Sequence, residues 1–272
     1  MNGVKLYVFV SGFFWVSLMV PIAEENVDCN NILEQYQRAE RYMAAKNHYS
    51  TEYTAVAMLQ RVYEQCKNDS PDRATMAQVV YTLGKSRWGG QGVSRDRAIA
   101  CKLFKEVLED YSDVNENDII PWTQYFVGDC ARNAFGEERN WTKAVSYYQK
   151  IIDNPQVINP NVRAWAQARV ADAYREGDGI EQNDAKSVQL FTAILDNDQN
   201  ITAKPVVAWA KYWIADAYEH GKAVALDREK ARTMFADIVN SYLSEDPIAV
   251  EYAQQRLDAM NLKDGASAQS SN

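Results

Sequence analysis

The sequence repeats itself. With Leu83-Gly84 as the anchor, Val127-Gly128, Val170-Ala171 and Ile214-Ala215 follow at steps of 44, 43 and 44 residues. Gly92, Gly136, Gly179 and Ala223 keep the same step, as do Phe104, Tyr148, Phe191 and Phe235. A period of this size, carried by small residues and aromatics, leaves few folds open. One unit cannot bury its apolar face alone, whereas a stack of helical hairpins buries each face against the next. The expected fold is all-α: a right-handed α-solenoid of about five helix-turn-helix repeats with a period of about 44 residues, plus a C-terminal capping helix.

The unit around Trp165 to Leu195 shows the design. An Ala-rich first helix runs through Trp165 to Tyr174 with apolar residues at helical spacing. Gly177-Asp-Gly179 ends it, because glycine takes the left-handed conformation that closes a helix. Asn183 then caps a second helix with Ser187, Phe191, Ile194 and Leu195 on one stripe. Asp96, Asn140, Asn183 and Asp227 fall in the same phase. All four can satisfy a free helix N–H through a side-chain oxygen. The small residues Gly84, Gly128, Ala171 and Ala215 let the paired helices approach, and the following Phe or Tyr fills the gap. Ala55, Leu59, Val62 and Tyr63 mark a weaker unit ahead of these, with a first helix from about Asn31 to Lys46. Asp246-Pro247 starts one more helix to about Leu262.

Leu83-Gly84, Trp88, Gly90-Gln-Gly92-Val93 and Asp96 resemble the Sel-one-like repeat, a relative of the tetratricopeptide repeat. Ala171, Tyr174, Gly177-Asp-Gly179-Ile180 and Asp184 are similar. Two units depart from the pattern: Arg132-Asn133-Ala134-Phe135-Gly136 lacks the first glycine, and Gly221-Lys-Ala223-Val224 lacks the second. The resemblance covers roughly residues 30 to 260. It implies a protein-interaction scaffold, often exported or envelope-associated in bacteria. The period is longer than the family's typical unit, which calls for extended helices or inter-unit loops.

The N-terminus reads as an export signal over 1–23. Lys5 precedes an apolar run from Leu6 to Val20, of signal-peptide rather than membrane-spanning length. Cleavage after Ala23 is the expectation, with Pro21 at an awkward third position before the cut; an uncleaved anchor is the alternative. Residues 24–262 form the solenoid and 263–272 a disordered polar tail. Net charge is −8 with no Lys/Arg-rich block, which excludes a typical nucleic-acid binder. No integral membrane span follows the signal, and the location is periplasmic or secreted.

Export favours disulfides among the four cysteines. In antiparallel helices, residues equidistant from the connecting turn are level. Cys29 and Cys66 flank Asn47-His48, in the expected turn of the first unit. Cys101 and Cys130 flank Asn115-Glu116, in the loop joining two units. The other pairings separate the cysteines by about 20 Å along the helices, against the roughly 7 Å that a disulfide tolerates. Cys29–Cys66 and Cys101–Cys130 are therefore expected.

Counted from each anchor, the first helices carry Gln78, Trp122, Trp165 and Trp209 six residues before it. Tyr81, Tyr125, Ala168 and Tyr212 stand three before it. Lys85, Asp129, Asp172 and Asp216 stand one after it, and Trp88, Arg132, Arg175 and Glu219 four after it. These offsets share one helical face, which the tetratricopeptide resemblance places in a concave groove. The candidate partner-binding set is Trp122, Trp165, Trp209, Tyr81, Tyr125, Tyr212, Asp129, Asp172, Asp216, Arg132 and Arg175. Such a surface suits an extended peptide with basic residues, or a polysaccharide stacking on indoles. The competing assignments are Trp residues in the core and Asp residues in salt bridges to neighbouring Arg or Lys.

Catalytic signals are poor. Some cysteine-rich relatives of this repeat family have been associated with β-lactam binding, but no Ser here is followed three residues later by Lys. His48 and His220 are the only histidines, which limits metal sites and acid–base chemistry. No metal or cofactor is expected. The expected function is a non-enzymatic protein–protein interaction scaffold of the cell envelope. The alternatives are a secreted, host-interacting binding factor or, third, a cell-wall-directed hydrolase.

Overall fold

The structure is a computed structural model that describes residues 27–45, 49–114 and 118–270, with side chains to residue 262. The expected signal segment and the turn at Asn47-His48 lie outside the described residues. Five hairpins follow in order: α1 (Ile32–Ala44) with α2 (Tyr49–Cys66), α3 (Arg73–Gly89) with α4 (Arg97–Asp110), α5 (Ile119–Asn133) with α6 (Trp141–Asp153), α7 (Pro160–Glu176) with α8 (Asp184–Asp196), and α9 (Lys204–His220) with α10 (Arg228–Ser241). A last helix, α11 (Pro247–Ser270), closes the series. Each hairpin packs on the next, and α11 packs on α10 and α9. Each odd helix also touches the next odd one, from α1 to α11, while the even helices make no comparable contacts with one another among the described residues. Odd helices therefore line the tighter, inner side of the stack.

The unit is built as its phase implies. Asp96, Asn140, Asn183 and Asp227 accept from the amides of Ile99, Lys143, Lys186 and Lys230 at 2.8–3.0 Å. Phe104, Tyr148, Phe191 and Phe235 are buried. The aromatic seats directly on its own unit's small residue. A Cβ on Gly84 would stand 2.7 Å from Phe104, and one on Gly128 2.5 Å from Tyr148. Phe104 also stacks on Phe126 of the following first helix, ring centres 4.6 Å apart. One ring thus fixes both the hairpin and its neighbour.

The turn is conserved in shape where its sequence decays. Gly92, Gly136 and Gly179 have φ of 64°, 75° and 74°, and Ala223 adopts 56° at the equivalent place. Ala134 likewise takes 61° where Gly90 and Gly177 take 81° and 80°. The turn is pressed against the preceding unit: a Cβ on Gly92 would meet the Glu52 carbonyl, and one on Gly179 the Trp141 backbone, both at 2.4 Å. The long period has both expected sources. α3, α7 and α9 are 17 residues each, and loops such as 154–159 separate the units.

Both expected disulfides are present, Cys29–Cys66 with Cα atoms 5.2 Å apart and Cys101–Cys130 at 6.0 Å. The first ties the chain before α1 to the end of α2, and the second joins α4 to α5. α11 runs to Ser270, through most of the polar segment expected as a disordered tail. That segment contains no proline, and its one glycine, Gly265, costs a helix only about 1 kcal/mol.

Candidate functional site: the face of the odd helices

The face starts from helix registers that the small anchor residues set. Trp122 on α5, Trp165 on α7 and Trp209 on α9 are half-buried, the last two against a neighbouring odd helix. Trp122 meets Tyr125 edge-on at 5.9 Å, and Trp165 lies 6.4 Å from Tyr125. Trp209 packs on Tyr212 and Tyr252, and its indole N–H donates to Asp246 Oδ2 at 2.9 Å. Asp246 Oδ1 caps α11 through the amides of Ile248 and Ala249. Trp209 thus holds α11 in place. Tyr125 and Tyr212 are buried behind the indoles, where burial raises both phenols above their ordinary pKa. Tyr81 keeps surface on α3, with the Lys85 ammonium 5.5 Å over its ring.

The acidic ladder is largely engaged within the molecule. Asp129 is buried. Its Oδ1 accepts from the Tyr148 hydroxyl at 2.7 Å and Arg169 Nε at 3.0 Å, and its Oδ2 accepts from Arg169 Nη2 at 3.3 Å. A carboxylate held this way is unavailable to a partner, so Asp129 belongs to the packing between α5 and α7. Asp172 accepts from Arg175 at 3.3 Å. Burial raises its carboxyl, with Arg175 and Arg169 offsetting part of that. Arg175 also pairs with Glu176 and lies 3.5 Å over the Trp213 ring. Asp216 faces His220 at 3.2 Å, Lys222 at 3.5 Å and Arg256 at 3.8 Å. Arg132 stands over the Trp141 ring at 5.5 Å.

Asp216, Glu219 and His220 offer donor atoms within 4.8 Å of one another, a spacing a metal ion could use. The Arg256 guanidinium already sits among them, 2.6 Å from Glu219 Oε2 and 3.3 Å from His220 Nε2. A positive charge in that position opposes a cation. Arg169, Arg256 and Trp141 were not singled out by the repeat offsets. Arg169 and Arg256 find their acids on a neighbouring odd helix, about 40 residues away in sequence.

The molecule is therefore an α-solenoid whose inner face is aromatic and internally charge-paired. The chain carries four Sel1 repeats: the Sel1 repeat model matches residues 80–106, 123–154, 166–196 and 210–236. These segments fall on the four hairpins from α3 to α10. Among solved structures, the chain is similar to a Sel1 repeat protein from Oxalobacter formigenes, with 15% identity and a TM-score of 0.54 over 83% of this chain and 86% of that one. It is also similar to a protective antigen present in uropathogenic Escherichia coli strains that displays an SLR fold, with 15% identity and a TM-score of 0.50. That match covers 87% of this chain and only 55% of the antigen's. No curated protein matches the sequence. Sel1 repeats generally serve as non-catalytic scaffolds for protein–protein interaction.

Proposed function

We propose that the chain is a non-enzymatic interaction scaffold of the cell envelope that holds an extended partner segment along the inner face. What supports this reading is the continuous contact of α3, α5, α7 and α9 together with the partly open rings that Tyr81, Trp122, Trp165 and Trp209 keep on those helices. Rigid aromatic anchors of this kind dominate binding surfaces because they contribute large contact area at little entropic cost. Two disulfides support an oxidising compartment. Export through the N-terminal segment, followed by periplasmic residence or secretion, fits them.

The test places a photo-crosslinking amino acid at Lys85 or Trp122 in cells, with Ile158, which is 85% exposed in an inter-unit loop, as the control. Discrete protein adducts from the first two positions and none from the third are expected. Equal labelling from all three, or none, removes the groove reading. Cell fractionation separates an envelope scaffold, which is retained, from a secreted binding factor, which is released.

A further inference from the structure

We propose that the cleft between α5, α6 and α7 seats a single carboxylate of the partner, with Arg132 as its principal ligand; this rests on the groove reading above. The cleft has a volume of about 200 Å³ and is lined by Arg132, Trp141, Tyr148, Arg169, Asp172 and Arg175 among others. Its donors and acceptors do not balance. Arg169 is spent on Asp129. Arg175 gives its terminal nitrogens to Asp172 and Glu176, but its Nε is buried without an acceptor. Arg132 has no hydrogen-bond acceptor among the described residues; its guanidinium rests over the Trp141 ring at 5.5 Å. Arg139 lies 5.6 Å from the same ring, also with no carboxylate partner among the described residues. None of the buried acceptor atoms left without a partner lines this cleft.

Trp141 is the first residue of α6. Two guanidiniums without a salt bridge thus share the ring of Trp141 at the edge of the cleft, and a bound carboxylate would give Arg132 the acceptor it lacks. Charge selects the anion. Of the charged residues that line the cleft, Arg132, Arg169 and Arg175 balance Asp172, Glu176 and Asp178. A phosphate dianion would overload the site, whereas a planar carboxylate brings one charge and two acceptors matched to a guanidinium fork. The partner segment is therefore acidic at this point, where the sequence pattern alone suggested a basic one.

The test titrates N-acetyl-aspartyl amide into the isotopically labelled full chain and follows the Trp141 indole N–H and the arginine Nε–H signals by NMR. N-acetyl-asparaginyl amide, N-acetylalanine and inorganic phosphate serve as comparisons. A saturable shift with the aspartyl probe is expected, weakened at least tenfold in Arg132→Ala and severalfold in Arg132→Lys, which keeps the charge and loses the fork. Arg139→Ala, farther from the cleft, gives a second variant should Arg132→Ala lose its helical circular dichroism; it too weakens the shift. Tighter binding of N-acetylalanine assigns the carboxylate to a chain terminus rather than a side chain, and either source supports the site. No shift, an equal shift with the asparaginyl probe or phosphate, or a shift indifferent to both arginine variants overturns it. Probe binding without groove crosslinks leaves the cleft standing and removes the groove; crosslinks without probe binding do the reverse.

Discussion

An alanine at φ of 56°, such as Ala223, sits where L-residues pay roughly 1–2 kcal/mol. The neighbouring unit and the following cap hold the turn in that shape whichever residue occupies it. Ala223 is exposed, so glycine there loses no packing. Ala223→Gly is expected to stabilise the fold by about 0.5–1 kcal/mol, the relief of strain exceeding the added freedom of the unfolded chain; urea melts of the two proteins measure it. The opposite case is Asp129. Replacing it by Asn leaves Arg169 buried against a neutral group, and breaking such a pair costs about 3 kcal/mol. A large fall in urea midpoint for Asp129→Asn is expected, so a binding defect in that variant reports folding rather than recognition. Sequence offsets put Asp129 on one helical face with Trp122 and Tyr125. They could not show that it is covered, because depth on a helix face depends on how far the next helix rolls over it.

At the scale of the element, the turns do more than reverse the chain. Glu137, in the α5–α6 turn, receives Lys143 of α6 and Lys105 of α4, both at 2.9 Å. Burial acts to raise its carboxyl, but the two ammonium groups outweigh that and leave it below its ordinary value of 4.5. A lowered folded-state pKa means the native protein holds this proton less tightly than the unfolded chain. The resulting stability is present above pH 4.5 and is lost as pH falls through the lower, folded value. Glu137→Gln is expected to cost about 1 kcal/mol near neutrality, since the lysines remain partly exposed. The Tm gap between variant and parent should close on acidification towards pH 3; a gap constant with pH would show that the ion pairs contribute nothing. Caps, glycine turns and both disulfides were readable in the sequence because each depends on position along a single helix or on the level of residues in two consecutive antiparallel helices. The Lys105–Glu137 bridge was not, since it depends on the angle between units.

For the whole molecule, the two ends are unlike. The N-terminal end is covalently closed by Cys29–Cys66. Among the described residues, the last hairpin is covered by α11 without a disulfide: Ala249, Val250, Ala253 and Met260 bury against α9 and α10, and Arg256 reaches back to Glu219. Ending the chain at Asp246 uncovers that apolar patch and orphans the Glu219 carboxylate. The shortened protein is expected to aggregate or to bind a hydrophobic dye, seen by light scattering and dye fluorescence, with α3 to α6 retaining most of their amide protection. Loss of protection throughout would show that the stack melts as one unit rather than from its end.

The pairing of Asp129 with Arg169, and of Glu219 with Arg256, reaches across unit boundaries and, among the described residues, recurs at no other boundary in the same form. Each of these two boundaries is thus a lock whose halves lie on particular neighbours. Duplicating, deleting or shuffling one repeat would place a buried charge beside a stranger. The array is periodic in backbone yet addressed in charge, and so its length and order are heritable as a set rather than one unit at a time.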